Sequence, residues 1–285
     1  MTQASVLVAE DFSAVGRMST TAAISIFSGF GIQTAAVPTE VLSTQTEGFG
    51  KPAVLKTDDW IKRALKHWRT VSDLNLSGAV VGYVGSAKTC ELLADFLTKS
   101  AINRVIVDPV LGDRGALYDG FDAAYVDAVK KLIATATVIT PNITELALLT
   151  HTHLVPESSD ADILAAIDKL TRAFDNHPRV VVTSVHRDAG MGSCFERDGQ
   201  LSWNGAPLVT GHFYGTGDLF TALLCGYLDF GITFESAVQR AVMGTYEAVT
   251  RTAKQAPQQR KYGMDLTKTL SDVTKFTLGQ RRGEF

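Results

Sequence analysis

The tetrapeptide Gly215-Thr216-Gly217-Asp218 is the strongest chemical signal in the sequence. It precedes an apolar run at residues 219–224 that favours a helix. Two glycines allow backbone N–H groups to converge without obstruction by a Cβ atom. Because the first amides of a helix lack intrahelical partners and its dipole favours negative charge, the segment predicts a phosphate site. Asp218 is then placed to accept a hydroxyl proton, although an aspartate here is also an ordinary helix-initiating acid.

The two common nucleotide-binding fingerprints are absent. A Walker loop requires G-x-x-x-x-G-K-[ST], but Gly50-Lys51 is followed by Pro52 and lacks the earlier glycine. Residues 29–34 begin the dinucleotide pattern G-x-G-x-x-G, but Thr34 stands in place of its third glycine. That segment also ends a predicted helix, whereas the dinucleotide pattern opens one. These classes of nucleotide-binding loop are therefore excluded.

Acidic side chains after two predicted strands favour a metal site. Asp108 follows the apolar run at residues 105–107, and Glu145 lies three residues after Asn142 in a segment that Pro141 can open as a helix. Mg²⁺ keeps several waters and typically takes one or two carboxylates. We predict that Asp108 and Glu145 hold Mg²⁺, directly or through water, while it bridges nucleotide phosphates. The alternative is a plain helix cap at Asn142 with a first-turn acid.

Short apolar runs alternate with helical patterns along the chain, which predicts an α/β fold with a mostly parallel sheet covered on both faces. Asp198-Gly199 is a turn dipeptide between two short strands, so it predicts a hairpin at the edge of the sheet. Strands are predicted at residues 6–9, 34–37, 79–81, 105–107, 138–140 and 180–182. Helices are predicted at residues 21–30, 60–68, 87–100, 163–174, 218–228 and 235–252, with a frayed polar tail at residues 280–285. No linker or repeat is visible, so we expect residues 1–285 to form one domain.

Polar or glycine-rich residues follow the predicted strands. In parallel sheets, ligands bind beyond the carboxyl ends of the strands. The segments concerned are residues 11–16, 82–85, 108–109, 140–142 and 183–184. Their coincidence predicts a functional rim along one edge of the sheet.

The composition describes an ordinary globular protein. The chain has 285 residues, a formal net charge of −3, 45% hydrophobic and 20% charged residues. The absence of a basic stripe argues against nucleic acid as a partner. No apolar run approaches the ~20 residues needed to cross a bilayer, and no signal peptide is visible. Three widely spaced cysteines favour structural thiols in a reducing compartment, so we expect a cytoplasmic protein.

Three motifs together resemble the ribokinase superfamily, specifically its vitamin-kinase branch. They are residues 215–218 (GTGD), 108–112 (DPVLG) and 140–146 (TPNITEL), in the expected order. The resemblance extends from about residue 6 to residue 252. It implies a ribokinase-like three-layer sandwich with a mostly parallel central sheet, helices on both faces and a small edge hairpin.

Two further segments are similar to pyridoxal kinases within that branch. These are residues 82–86 (GYVGS) and the loop at residues 43–46 (STQT). The similarity implies ATP-dependent phosphorylation of the 5′-hydroxymethyl group of pyridoxal, pyridoxine or pyridoxamine, a reaction of vitamin B6 salvage. It also implies Mg²⁺ and a homodimer, with a monovalent cation as a further candidate cofactor.

The resemblance implies roles residue by residue. Asp218 would be the base beside the acceptor alcohol, and Gly215, Thr216 and Gly217 would form the anion hole. A flexible piece over the substrate is implied at residues 113–116. Contacts with the substrate ring are implied for Asp11, Thr46 and Tyr83. Nucleotide or metal contacts are implied for Asp108, Thr140, Asn142, Glu145, Thr183, Ser184, His212, Phe213, Tyr214, Gly215 and Gly217.

Some positions depart from the pyridoxal kinase pattern. Asp11 stands where similar pyridoxal kinases usually have serine, and Gln45 replaces a histidine. Residues 11–16 resemble hydroxymethylpyrimidine kinases, yet those enzymes commonly carry cysteine at the position of Asp218. A hydroxymethylpyrimidine (phosphate) kinase of thiamine synthesis therefore stays open as an alternative. A catalytically idle ligand-binding protein on the same scaffold is the other, although the glycines and Asp218 argue against it.

Overall fold

Strands and helices alternate through residues 4–188 and 190–282, the part of the chain that the computed structural model describes. The strands are β1 (Ser5–Ser13), β2 (Gln33–Leu42), β3 (Val54–Lys56), β4 (Leu76–Val81), β5 (Arg104–Val107), β6 (Gly112–Asp113), β7 (Ala116–Leu117), β8 (Val138–Ile139), β9 (Arg179–Arg187), β10 (Gly190–Arg197) and β11 (Gln200–Pro207). The helices are α1 (Ser19–Gly29), α2 (Asp58–Trp68), α3 (Ala87–Thr98), α4 (Ala123–Ile133), α5 (Ile143–Thr150), α6 (Asp160–Arg172), α7 (Thr216–Asp229), α8 (Phe234–Ala253), α9 (Pro257–Arg260) and α10 (Thr267–Arg282).

One sheet of nine strands forms the centre of the fold. Its order is β11-β10-β9-β8-β5-β4-β1-β2-β3. The strands from β9 to β2 in that order run parallel, whereas β3 at one edge and the β10–β11 hairpin at the other are antiparallel. The carboxyl ends of the parallel strands therefore share one edge, as the sequence pattern predicts.

Alternate residues of β1 enter two separate hydrophobic cores. Leu7 and Ala9 pack with α2 to α6 on one face of the sheet. Val6 and Val8 pack with α1, α7, α8 and α10 on the other face. Because successive side chains of a strand point to opposite faces, an unbroken apolar strand fits a sheet that is covered on both sides. The predicted three-layer α/β sandwich is confirmed.

Two hairpins turn through pairs of left-handed residues. Asp198 and Gly199 have φ angles of 51° and 79° and join β10 to β11, which confirms the edge hairpin. Arg114 and Gly115 have φ angles of 52° and 82° and join β6 to β7, a separate two-stranded sheet. Such pairs match the right-handed twist of the flanking strands.

Several boundaries differ from the sequence-based expectations. Asp11 lies within β1, because β1 continues along β2 through a register shift between Glu10 and Phe12. Thr183 and Ser184 lie within β9, because β9 continues past the predicted strand end at residue 182 and pairs with β10 there.

The prediction of a frayed tail is wrong for residues 280–282. They belong to α10, which buries Val273 and Phe276 in the core shared with α1, α7 and α8. Residues 283–285 of the predicted tail lie outside the described part of the chain. Neither α10 nor α4 was expected from the sequence pattern.

The three cysteines are buried and none of them forms a disulfide. Burial raises the pKa of the Cys90, Cys194 and Cys225 thiols to about 12, so all three are neutral. This fits their interpretation as structural thiols. Within residues 4–188 and 190–282, no helix combines the length and apolarity that crossing a bilayer requires.

Candidate functional site

A cavity of about 670 Å³ lies at the carboxyl ends of the parallel strands. Residues at the ends of β1 and β2, within β9, and in the segments that follow β4, β5 and β8 contribute to its wall. The structure brings every site residue predicted from the sequence into this one cavity. These residues are Asp11, Thr46, Tyr83, Asp108, Thr140, Asn142, Glu145, Thr183, Ser184, His212, Phe213, Tyr214, Gly215, Thr216, Gly217 and Asp218.

The N-terminus of α7 forms one wall of the cavity. Gly215 is its cap residue, with a left-handed φ of 78°, and a Cβ atom there would lie 2.9 Å from Cγ of Met18. Glycine is thus required by both backbone conformation and space. Gly215 has no side chain to cap the helix, and residues 215–217 lie at the wall of the cavity. This arrangement is suited to an anion.

Asp218 lies in the first turn of α7 and is held from the start of α1. Its Oδ2 accepts hydrogen bonds from the backbone N–H of Ser19 at 2.7 Å and from the Ser19 hydroxyl at 3.1 Å. Burial raises the pKa of Asp218, and the two bonds from Ser19 act in the opposite direction. Ser19 also lines the cavity, yet no sequence motif singled it out, since a lone serine before a helix carries no signal of its own.

Asp108 follows β5 and lies against the start of α7. A Cβ atom at Gly217 would be 3.1 Å from Oδ2 of Asp108, so the helix backbone approaches the carboxyl closely. The Thr221 hydroxyl lies 3.4 Å from the same oxygen and 3.0 Å from the hydroxyl of Thr140. Burial raises the pKa of Asp108 well above its usual value, and the charges of Glu145 and Asp218 add to this effect.

Glu145 combines a structural contact with a place in the cavity wall. Its Oε2 accepts from the backbone N–H of Asn142, and the Asn142 side chain accepts from the backbone N–H of Glu145, each at about 2.8–2.9 Å. Its Oε1 accepts from the backbone N–H of Leu111 at 2.8 Å. The expected helix cap is therefore present. Burial raises the pKa of Glu145 to about 7, although these backbone N–H groups lower it.

The chemistry of Asp108 and Glu145 fits a hard divalent cation. Both carboxyls are buried, and mutual repulsion raises the pKa of Asp108. A cation between them would favour their charged forms. Among residues 4–188 and 190–282, no group of three or more His, Cys, Asp or Glu residues is arranged to hold a metal. A site with two carboxylates matches Mg²⁺, which takes its remaining ligands from water and phosphate.

Glu10 places a further acid beneath the cavity. It is fully buried, and neither carboxyl oxygen has a hydrogen-bond partner among the described residues. Its side chain packs over Gly82, where a Cβ atom would lie 2.9 Å from Oε1 of Glu10. Burial raises the pKa of Glu10 well above its usual value, and the charges of Asp218, Asp11 and Asp108 raise it further. Burial and the neighbouring acids therefore favour the protonated, neutral form of Glu10.

Aromatic and polar side chains line a further part of the cavity. Tyr83 is half-buried, with its ring centre 5.8 Å from that of Phe121, and burial raises its pKa to about 12. Asp11 accepts a hydrogen bond from Ser13 at 3.0 Å, and burial raises its pKa to about 6. Thr46 is exposed at the rim. An aromatic face beside a carboxyl of this kind suits a small heteroaromatic ring with polar substituents.

Three loops meet at the mouth of the cavity. His212 Nε2 lies 3.2 Å from a carboxyl oxygen of Glu47, and His212 Nδ1 lies 3.2 Å from the guanidinium of Arg114. Arg114 is at the tip of the β6–β7 hairpin, whose base is fixed by a bond from the Asn142 side chain to the Gly112 carbonyl at 2.9 Å. Residues 113–116, which the resemblance implies to be a flexible piece over the substrate, form the tip of this hairpin, and Asp113 lines the cavity.

A smaller cavity of about 110 Å³ adjoins the first one. The two share Thr183, Ser184, Thr216 and Gly217. The rest of the smaller cavity is mostly apolar. Its further lining residues are Met191, Gly192, Ser193, Ala206, Pro207, Val209, Phe220, Val242, Thr245, Tyr246 and Val249. An apolar slot beside a phosphate site suits a planar base.

The phosphomethylpyrimidine kinase family matches residues 20–263 of this sequence. The chain belongs to that family. A phosphomethylpyrimidine kinase family member is a phosphotransferase with an alcohol acceptor, which agrees with an anion site placed next to a carboxylate.

Known relatives of this family member include both pyridoxal and pyrimidine kinases. Pyridoxal kinase from Lactobacillus plantarum, known from a crystal structure, has 34% sequence identity to this chain. The two structures superimpose with a TM-score of 0.91 over 96% of this chain and 97% of the L. plantarum chain. The pyridoxine/pyridoxal/pyridoxamine kinase of Bordetella bronchiseptica is 29% identical over 257 residues, 83% of this chain and 85% of its own. The hydroxymethylpyrimidine/phosphomethylpyrimidine kinase of Haemophilus influenzae is 28% identical over 196 residues, 67% of this chain and 69% of its own.

Proposed function

We propose that the protein transfers the terminal phosphoryl group of ATP to the 5′-hydroxymethyl group of pyridoxal, pyridoxine or pyridoxamine. The observation that carries this proposal is the position of Asp218: it lies at the uncapped N-terminus of α7 in the same cavity as Tyr83 and Asp11. One cavity therefore offers a phosphate site, an aromatic face and a carboxylate, which is what transfer to an aromatic alcohol requires. Similarity to pyridoxal kinases over nearly the whole chain supports the choice of acceptor.

The N-terminus of α7 receives the transferring phosphoryl group in this proposal. The amides of residues 215–217 face its oxygens as charge redistributes in a loose transition state. The oxygen of the acceptor alcohol forms a bond to phosphorus while the bond from phosphorus to ADP breaks. Asp218 takes the proton of that alcohol. Its raised pKa makes it a stronger base than an exposed aspartate, and Ser19 keeps it aligned.

The nucleotide side of the cavity holds the rest of ATP. Asp108 and Glu145 would hold Mg²⁺, directly or through water, and the ion would neutralise phosphate charge when bound. We place the adenine in the apolar slot that adjoins the α7 N-terminus. Residues near the phosphates and ribose would then be Thr140, Asn142, Thr183, Ser184, His212, Phe213 and Tyr214.

The acceptor side of the cavity orients the ring. Tyr83 offers an aromatic face, Asp11 and Thr46 offer polar atoms, and the β6–β7 hairpin covers the opening. Excluding water at this point limits wasteful ATP hydrolysis.

A hydroxymethylpyrimidine is the second candidate acceptor. One observation favours it: Asp11 is a carboxyl and not a hydroxyl at the position that resembles a ring contact. A carboxylate accepts hydrogen bonds from an exocyclic amino group, which an aminopyrimidine has and pyridoxal lacks. The Haemophilus influenzae relative carries that activity in its name.

A coupled assay of ADP release tests the proposal. Pyridoxal, pyridoxine, pyridoxamine and hydroxymethylpyrimidine are compared in parallel with Mg²⁺, in potassium and in sodium buffers. We expect the fastest turnover with a B6 compound. Faster turnover with the pyrimidine would establish the second candidate. ATP binding with no turnover on any of them would mean an idle ligand-binding protein.

We also propose that residues 1–285 form one kinase domain, which works as a homodimer in the cytoplasm without nucleic-acid or membrane partners. The three unpaired cysteines support a reducing compartment. The exposed apolar residues Val54 and Leu55 on edge strand β3 are consistent with contact between subunits. Sedimentation of the purified protein tests the dimer.

A further inference from the structure

The loop at residues 43–50, which carries Thr46 at the rim of the cavity, is not held by backbone pairing. Among residues 4–188 and 190–282, the backbone of residues 44–50 makes no hydrogen bond to another backbone group. Gly48 and Gly50 in this loop have left-handed φ angles of 78° and 80°. Because glycine adopts many conformations, the position of the loop depends on the contacts that side chains make with it.

Two hydrogen bonds between Gln45 and Lys261 join this loop to a distant part of the chain. Gln45 is the only buried residue of the loop, and its Nε2 donates to the backbone carbonyl of Lys261 at 2.7 Å. Lys261 Nζ in turn donates to the backbone carbonyl of Gly48 at 3.0 Å. Because a carbonyl can only accept, the Gln45 side chain presents its amide nitrogen here. The loop is therefore bonded to a residue 216 positions beyond Gln45.

Aromatic contacts strengthen the same junction. The Lys261 ammonium lies 4.1 Å from the centre of the Phe49 ring. The rings of Phe49 and Tyr262 meet edge to face, with their centres 5.0 Å apart. A cation over an aromatic face is attracted by the electrons of the ring, and edge-to-face packing of two rings is favourable as well. These contacts of Phe49 therefore act together with the two hydrogen bonds.

The segment at residues 261–265, to which the loop is bonded, is itself tied to the rest of the fold. Asp265 donates its backbone N–H to the hydroxyl of Thr252 on α8 at 2.8 Å. The backbone carbonyl of Tyr262 accepts from the backbone N–H of Arg17 at 2.8 Å, just before α1 begins. The segment is therefore a firm support for the loop.

We propose that Lys261 and Gln45 are positioning residues for the acceptor: together they hold the loop at residues 43–50, and with it Thr46, at the wall of the cavity. The proposal rests on the proposed kinase function, in which Thr46 contacts the alcohol. Lys261 is not among the described residues that line the cavity, so it acts on the alcohol through the loop. Asp218 lies on α7 and its bonds come from the start of α1, so phosphoryl transfer itself does not depend on this support.

Two substitutions that keep an unbranched side chain test this role in steady-state kinetics. Gln45→Met removes the amide donor, and Lys261→Met removes the ammonium group. Each is expected to raise KM for the alcohol about twofold to tenfold, as the loss of one hydrogen bond implies, with kcat and KM for ATP within about twofold of wild type. Gln258→Met on α9 and Lys254→Met at the end of α8 are the matched controls, because both side chains are exposed, and they should behave as wild type.

An unchanged KM for the alcohol in Lys261→Met would overturn the proposal. A fall in kcat together with a rise in KM for both substrates would do so as well, because Lys261 would then support the whole fold and not the loop.

Limited proteolysis without substrate keeps this test separate from the identity of the acceptor. Chymotrypsin cleaves after aromatic residues, and we expect Phe49 to be protected while its ring packs on Lys261 and Tyr262. Cleavage after Phe49, followed by mass spectrometry, should be about twofold to tenfold faster in Gln45→Met and Lys261→Met than in wild type and the two controls. Equal cleavage rates in all five proteins would refute the support of the loop. If cleavage accelerates and no B6 compound is phosphorylated, only the proposed function fails.

Discussion

The phosphate end and the acceptor end of the large cavity differ in the burial and secondary structure of the residues that line them. At the phosphate end, the first backbone amides of α7 are accompanied by two buried carboxyls, Asp108 directly after β5 and Glu145 in the first turn of α5. Asp108 and Glu145 are both less than 10% exposed there. At the acceptor end, Thr46 is exposed on a loop, Tyr83 is half-buried in the segment after β4, and only Asp11 is a buried carboxyl. The backbone amides and buried acids at the phosphate end recognise charge, which every phosphoryl donor carries. The less buried side chains at the acceptor end select the alcohol by its shape and polar groups.

This difference predicts which quantity a substitution at each end will change. A helix terminus tolerates few substitutions, because Gly215 has both a left-handed φ and Met18 within 2.9 Å of its missing Cβ. In the loop at residues 43–53, the side chains of Thr46 and Glu47 are exposed. We therefore expect substitutions at the phosphate end to act on kcat and those at the acceptor end to act on KM for the alcohol.

The largest effect is expected from Asp218→Asn. The amide keeps the shape of the side chain but cannot take a proton, so kcat should fall about 10²–10⁴-fold with little change in ATP affinity. Steady-state kinetics and ATP titration calorimetry measure the two quantities. Asp229→Asn, at the other end of α7, is the control. Near-normal turnover in Asp218→Asn would remove this residue from the mechanism.

Gly215→Ala should produce the next largest loss. The new methyl group would clash with Met18, and an L-residue is strained at a φ of 78°. We therefore expect the amides of the anion hole to be displaced. Loss of one such donor typically lowers kcat about 10²–10³-fold. Gly231→Ala is a comparison with the same backbone requirement, since φ is 72° there and no atom lies within 4 Å of the new Cβ. Equal kinetics for both variants would contradict the account.

The buried acids should make stability depend on pH. Burial raises the folded pKa of Glu10, so the folded protein retains a proton that the unfolded chain releases. Stability is then greatest below the ordinary pKa of the group and falls as pH rises, by up to about 1.4 kcal/mol per pH unit. Unfolding followed from about pH 5 to about pH 8 should show a smaller decline in Glu10→Gln than in wild type. Exposed Glu91→Gln serves as the control, and parallel curves for all three proteins would disprove the neutral buried acid.

Tyr83→Ala should weaken acceptor binding and spare the nucleotide. Loss of an aromatic contact with a ring is worth about 0.5–1.5 kcal/mol, so KM for the alcohol should rise about twofold to tenfold. Tyr246→Ala, which alters the smaller cavity, should raise KM for ATP instead. If Tyr83→Ala raised KM for ATP and Tyr246→Ala raised KM for the alcohol, the nucleotide and acceptor ends of the cavity would have to be exchanged.

The smallest effect is expected from His212→Ala. Its contacts with Glu47 and Arg114 are exposed, and exposed pairs contribute little because water and salt screen them. We expect at most about a fivefold decrease in kcat/KM for ATP. A loss of a hundredfold or more would show that the loops at the mouth, and not the buried end, control catalysis.

Much of the fold could be predicted from the sequence, and the residues predicted for the site all line one cavity, where their roles stay predictions. Apolar runs gave the strands of the parallel sheet, and short motifs marked the α7 terminus and the Asn142–Glu145 cap. These features depend on local backbone requirements, such as a left-handed glycine or a cap, which leave a trace in neighbouring residues. The structure places the residues of these motifs in one cavity, as the shared edge of a parallel sheet requires.

Features that depend on distant contacts were missed. Ser19 reaches a carboxyl that lies 199 positions away in the chain, and the sequence near it contains no motif. Glu10 is indistinguishable from an exposed acid until the strands around it are known. Helix α10 is polar overall, and only its packing against α1 and α8 shows which of its faces is apolar.

A crystal structure with a non-hydrolysable ATP analogue, Mg²⁺ and pyridoxal tests the central claim most directly. We expect the terminal phosphate against the amides of residues 215–217 and the 5′-oxygen of pyridoxal about 2.6–3.2 Å from the Asp218 carboxyl. A phosphate bound elsewhere, or a pyridoxal alcohol turned away from Asp218, would contradict the account.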